Sequence, residues 1–139
     1  RSGDAVRLVG RHSHHQLPDD YAWADVVAVP SVVDSTGDRD GLPNVVLEAM
    51  ACGRPLVASD VAAIGDAVHA GGAGVVVPPG EPDLLAAALD ALSVPDARRR
   101  LGDSGRRYVQ RDYELRSCTD RFVDLLGTLH VRSSEGVHV

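Results

Sequence analysis

Lysine is missing altogether from this chain of 139 residues, so all 14 basic side chains are arginine, set against 20 acidic ones. The net charge of −6 excludes the basic footprint of a nucleic-acid binder. Aromatic residues are few, and the composition is otherwise that of a globular chain rich in Ala, Val, Leu and Gly. Cys52 and Cys118 lie far apart in no CxxC spacing, so they are expected to be reduced thiols of a cytosolic protein. No apolar run reaches the length of a membrane span, and no signal peptide is visible. A starting methionine is missing too. The chain opens at Arg1 and enters a strand-like run almost at once, which is the expectation for a fragment. Its length fits one domain with a real core.

What the chain does contain is one dense stretch, Asp40 to Asp60, reading DGLPNVVLEAMACGRPLVASD. Gly41 and Pro43 suit a turn leading straight into a helix, with Pro43 at the first helical position. Asn44 to Cys52 are helix-compatible, and Gly53 falls where a left-handed residue ends a helix. Pro55 blocks continuation, and Leu56, Val57 and Ala58 resume as an extended apolar run. Glu48 is the misfit. Its neighbours Val45, Val46, Leu47, Ala49, Met50 and Ala51 make the helix apolar on almost every side, the mark of a buried helix. An unpaired carboxylate there is costly, so Glu48 is expected to face a polar cleft. The competing readings are an arginine partner or a solvent-facing position. Asn44 lies one turn earlier on the same face, and the helix N-terminus suits an anion such as a phosphate. Asp40, a donor-rich turn and an inward Glu48 together read as a site for a phosphorylated, hydroxyl-rich ligand.

The same stretch resembles the donor-binding signature of retaining GT-B glycosyltransferases, the group 1 family that includes bacterial polysaccharide and mannosyl transferases. That signature is an acidic residue, seven residues, then Glu, followed by A-M-A-x-G-x-P-V-V-A-[ST]-D. Here Asp40 stands where Glu is commoner, and Glu48 is the second acid. The run GDRDGLPNVVLEAMA most resembles the subgroup that works on exopolysaccharides such as colanic acid. The resemblance implies an α/β fold, a Rossmann-like parallel sheet flanked by helices, forming part of a GT-B C-terminal domain. Residues 1–129 would be that nucleotide-sugar-binding domain, N-terminally incomplete, and 130–139 a tail expected to be disordered. An N-terminal acceptor domain of the same chain is the implied partner, and a nucleotide-diphosphate sugar the implied substrate.

Along the chain, Val6–Val9 is a strand candidate ended by Gly10, and Arg11–Asp20 a polar loop with three histidines. Asp19 or Asp20 is expected to cap a short helix carrying Tyr21 to Ala24. Val26–Val29 reads as a strand buried on both faces, and Ser35–Asp40 as a flexible loop over the site. Ala62–Val68 supports a helical turn or two, Gly71, Gly72 and Gly74 a turn, and Val75–Val77 another strand. Asp83 is expected to cap a helix over Leu84–Leu92. Pro95 opens a helix to about Arg111, and Glu114–Leu129 forms a last helix with an amphipathic stripe through Cys118 and Phe122. Alternating strands and helices imply parallel βαβ units, with ligands outside the carboxyl ends of the strands.

Each candidate has a plainer reading beside it. The resemblance implies that Glu48 accepts hydrogen bonds from the ribose hydroxyls of the nucleotide, which two carboxylate oxygens can do at once. It implies that Asp40 contacts hydroxyls of the transferred sugar; a turn or N-cap aspartate is the alternative. Gly41, Leu42, Pro43 and Asn44 would act through backbone N–H groups near the sugar and pyrophosphate, where relatives often carry G-F-G-L. Pro43 has no N–H to give. Gly10, Arg11 and His12 would lie beside the base, and Ser31 near a phosphate, against the alternative of loop and turn residues. The cluster of Arg11, His12, His14 and His15 lacks the partners of a zinc site, so no metal and no cofactor is expected. After Asp60 the family often has G-G-x-x-E, where this chain has Ala62-Ala63-Ile64-Gly65-Asp66. Arginines 98–100, 106, 107 and 111 read as a solvated helix face, with peripheral contact to anionic lipid as the secondary reading.

The function expected is donor binding for sugar transfer from a nucleotide-diphosphate sugar to an acceptor hydroxyl with retention, in the cytoplasm or at the inner face of the membrane. The basic residues that relatives use on the leaving diphosphate lie upstream of residue 1, so the chain alone is expected to be inactive. A degenerate sugar-nucleotide-binding module and a GT-B sugar-nucleotide epimerase remain the alternatives.

Overall fold

A computed structural model of the chain describes residues 6–33 and 41–134, with side chains through residue 124. Three short strands, β1 (Val27–Val29), β2 (Leu56–Ser59) and β3 (Gly74–Val77), form one parallel sheet in the order β1-β2-β3. Register places Val27, Ala28 and Val29 beside Leu56, Val57 and Ala58, and Leu56 to Ser59 beside Gly74 to Val77. The strands alternate with helices: α1 (Leu17–Trp23), α2 (Asn44–Ala51), α3 (Ile64–Gly71) and α4 (Pro82–Ala91). Two longer helices follow, α5 (Pro95–Asp112) and α6 (Leu115–Ser134). This is the expected α/β architecture.

The sheet is covered on both faces. Leu56 and Ala58 pack with Val46, Ala49 and Met50 of α2 and with Ile64, Ala67 and Val68 of α3. On the other face Val57 and Val77 meet Ala88 of α4 and Leu92. All four residues of β2 are buried, as expected for a central parallel strand. Met50, Leu56 and Ile64 are fully buried, each stabilising the fold by roughly 1.5–3 kcal/mol. Helix α5 contributes Leu101 to one cluster and Tyr108 and Val109 to the other, so it spans both layers. Close approach makes this possible: a Cβ on Gly102 would sit 2.1 Å from the Gly53 carbonyl oxygen, and one on Gly105 2.8 Å from Ala73 Cβ.

Several sequence expectations are corrected. Val6–Val9 is not a strand; among the described residues no neighbour offers it a backbone ladder, and Leu8 is 94% exposed. Strand β1 is buried on one face only, with Ala28 exposed, because it lies at the sheet's edge among the described residues. Helix α1 starts at Leu17, since Pro18 fits its first turn, and Asp19 and Asp20 lie inside that turn instead of capping it. Pro43 is the N-cap of α2 in extended conformation, one position before the expected one. Helix α4 likewise begins at Pro82 with Asp83 in its first turn. The backbone of α6 continues to Ser134, so residues 130–134 of the expected tail are helical. Phe122 on its apolar stripe is exposed. The Ser35–Asp40 loop lies outside the described residues.

Candidate functional site

The carboxyl ends of β1 and β2 and the N-terminus of α2 converge at one end of the sheet. Their meeting is fixed by backbone geometry: the Ala63 N–H, in the turn after β2, donates to the Gly41 carbonyl at 3.2 Å. Gly41 is exposed, and Leu42 and Pro43 are half-buried beside it. Helix α2 then begins without any side-chain cap, because Pro43 at its N-cap carries no hydrogen-bonding side chain. The N–H groups of Asn44 and Val45 are therefore the orphan donors of a helix start, at the positive end of its dipole. Asn44 itself is exposed.

Glu48 sits one turn further along α2 and is half-buried. Among the described residues its hydrogen-bond partner is a tyrosine. The Tyr21 hydroxyl on α1 donates to Glu48 Oε2 at 2.8 Å, bridging 27 residues of sequence. Burial, then the hydrogen bond to Glu48 and the charge of that carboxylate, push the Tyr21 hydroxyl well above the usual tyrosine range. A hydroxyl that keeps its proton remains a donor, so one carboxylate oxygen is held in place. Oε1 accepts from nothing among the described residues. Sequence reasoning missed Tyr21. The available signal was an aromatic residue beside two aspartates in a short helix, but the pairing needs the fold.

The remaining candidates are more scattered. Gly10 has φ +74 and, like Arg11, is exposed. His12 is half-buried, and its Nδ1 lies 2.5 Å from Asp20 Oδ2, which ties the loop to α1. Together with Arg7, Leu8, Val9 and Trp23 it borders a broad cavity beside α1. Ser31 is half-buried immediately beyond β1. Next to it Pro30, Val32, Ser59, Val77 and Pro78 line a cavity of about 170 Å³ at the carboxyl ends of the three strands. Asp40 lies outside the described residues. Among the described residues no group of three or more His, Cys, Asp and Glu is arranged to hold a metal ion.

One strained residue marks the same end of the sheet. Ala62, in the turn between β2 and α3, has φ +49, the one left-handed non-glycine among the described residues. It stands where the family pattern often has its first glycine, the residue that adopts this conformation most easily.

The family model "Glycosyl transferases group 1" matches residues 1–93. The Salmonella typhimurium protein WcaL, assigned to colanic acid biosynthesis as a glycosyltransferase, is 30% identical over 128 residues, covering 91% of this chain and 32% of WcaL. Among solved structures, sucrose-phosphate synthase from Thermosynechococcus elongatus superposes with a TM-score of 0.77 at 33% identity, over 94% of this chain and 31% of the enzyme. Anabaena HepE, solved in complex with UDP, gives a TM-score of 0.67 at 19% identity over 81% of this chain and 30% of HepE, a likeness of fold alone. The chain thus spans about a third of the length of each of these proteins.

Proposed function

Because this chain belongs to the family Glycosyl transferases group 1, we propose that it forms the donor-binding half of a retaining glycosyltransferase. The reaction moves a sugar from a nucleotide diphosphate to an acceptor hydroxyl, in the synthesis of a polysaccharide or glycoconjugate. The observation that carries this reading is the Glu48 carboxylate, half-buried on α2, with Oε2 held by Tyr21 and Oε1 open among the described residues. A ribose diol is the ligand that such an acceptor suits, since an ionised carboxylate accepts from two hydroxyls in one plane. The UDP bound by HepE, a protein of like fold, is in keeping with a nucleotide donor.

The rest of the site follows from the same helix. The uncapped start of α2 offers the Asn44 and Val45 N–H groups to the diphosphate, while Pro43 offers none. Stabilising the charge that builds on the departing diphosphate is then electrostatic work by backbone dipoles, with no metal in this reading. Asp40 would take hydroxyls of the transferred sugar, Gly41 and Leu42 would lie against that sugar, Ser31 near a phosphate, and Gly10, Arg11 and His12 near the base. The acceptor is bound by a further domain, and the 139-residue chain alone does not turn over. The work takes place in the cytoplasm.

Calorimetric titration with UDP, GDP and ADP tests this. One nucleotide is expected to bind selectively, and Glu48→Ala to weaken it by about tenfold or more. Glu48→Gln keeps an acceptor for Tyr21 and separates loss of charge from loss of packing. Equal binding by Glu48→Ala and the parent chain sinks the role given to Glu48.

A further inference from the structure

The opposite end of the sheet holds a second polar site, and it lies where the chain's arginines gather. Helix α2 ends at Cys52 and Gly53, and Gly53, with φ +67, turns the chain into Arg54, Pro55 and β2. Helix α5 crosses this corner at glycine distance, as the Gly102 contact with the Gly53 carbonyl requires. The crossing brings arginines from separate segments to one cavity of about 310 Å³. Arg54, Arg98, Arg99 and Arg106 line it, together with Asp25 and Asp103. In a chain of net charge −6, four guanidiniums facing two carboxylates is a local reversal of sign.

The four arginines differ in how well the protein itself accounts for them. Arg98 is accounted for: its Nη1 donates to the Leu92 and Ser93 carbonyls at 2.8 Å each, closing the end of α4, and its Nη2 lies 3.2 Å from Asp25. Arg99 reaches Asp96 only at 3.9 Å, with both side chains mostly exposed. Such a contact contributes little. Arg54 and Arg106 have no ion-pair partner among the described residues. Arg54 Nε is buried and donates to nothing among the described residues. A buried donor left without an acceptor is costly, and native structures seldom leave one without a reason. The Arg106 side chain passes close to Gly53 and lines the cavity.

We propose that this cavity binds a phosphate group. Guanidiniums present paired N–H donors that match phosphate oxygens and stay charged at every working pH. A phosphate between Arg54, Arg99 and Arg106 would offset the repulsion of the unpaired cations that line the cavity. The site stands apart from the proposed nucleotide site, since α2, roughly 12 Å long, separates its uncapped start from the Cys52–Arg54 corner. It does not depend on the transferase reading. The phosphate can belong to a soluble phosphorylated compound or to the headgroup of an anionic lipid, and two arms of one experiment distinguish them.

The first arm follows backbone amide resonances of the full chain as inorganic phosphate is added at constant ionic strength. Saturable shifts are expected at Gly53, Arg54, Arg99, Asp103 and Arg106. The double variant Arg99→Gln/Arg106→Gln, altered only at exposed side chains, is expected to bind about tenfold more weakly or worse. Arg107→Gln, outside the cavity, is expected to bind as the parent does. The second arm sediments the chain with phosphatidylcholine vesicles with and without phosphatidylglycerol. Saturable phosphate binding without sedimentation on phosphatidylglycerol vesicles assigns a soluble ligand. Sedimentation that requires phosphatidylglycerol and fails in the double variant assigns a lipid headgroup. Absence of both, shifts confined to the start of α2, or binding unchanged in the double variant overturns the proposal.

Discussion

The Tyr21 hydroxyl gives the folded chain a property that an alkaline titration reads directly. Its proton is held more tightly in the native state than in the unfolded one, by burial first and by Glu48 second. A raised folded value means that the contribution to stability is intact below about pH 10 and shrinks as pH rises beyond it, at about 1.4 kcal/mol per unit for one such group. Tyr21→Phe is therefore expected to flatten the fall in stability above pH 10, measured by urea unfolding at stepped pH. Tyr108, pushed up to about 12 by the neighbouring Tyr113 first and by burial second, leaves a residual slope. At neutral pH the same variant loses a hydrogen bond to a charged acceptor, about 1.5–3 kcal/mol. It should weaken nucleotide binding less than Glu48→Ala, since the acceptor stays and only its anchoring goes. A second residue-scale outcome concerns Ala62, whose φ of +49 is strained for an L side chain. Ala62→Gly is expected to raise stability by about 1 kcal/mol, read as a higher urea midpoint with an unchanged slope.

At the scale of elements, the contact between α5 and the α2–β2 corner is the most demanding joint in the fold. Gly102→Ala would drive a methyl to 2.1 Å from the Gly53 carbonyl oxygen. A loss of about 3 kcal/mol or more is expected, by thermal unfolding, because backbone on both sides must shift. Gly105→Ala meets side chains, Ala73 and Met50, and should cost less. The elements themselves were largely legible in the sequence. The run LPNVVLEAMACG carried its own start, apolar body and glycine stop, and α2 follows it to within a residue. Helix starts were misplaced by one position at Pro43, by two at Pro82 and by three or four in α1, where Pro18 and the acidic pair Asp19 and Asp20 both suit a first turn. Val6–Val9 misled outright, since an apolar run specifies a strand only where a neighbour can pair with it. For the site, composition alone marked Glu48 as out of place in an apolar helix. Tyr21 could not be found that way, because a contact across 27 residues is a property of how α1 and α2 pack.

For the whole molecule, stability should be graded across the sheet. Strand β2 is paired on both sides and buried on both faces, while β1 has β2 as its sole partner among the described residues. Amide exchange is expected to be slowest at Leu56–Ser59 and distinctly faster at β1, where opening does not require global unfolding. The Val27 N–H is committed to the Pro55 carbonyl, and by strand alternation the Ala28 N–H and C=O face the other way. That outward row is a template. In a concentrated solution it can recruit the same row of another copy, with the exposed Val32 and Val33 just beyond it supplying apolar surface. Where no other segment covers this edge, crowding is expected to favour strand-to-strand association at β1 and dilution to keep the chain dispersed.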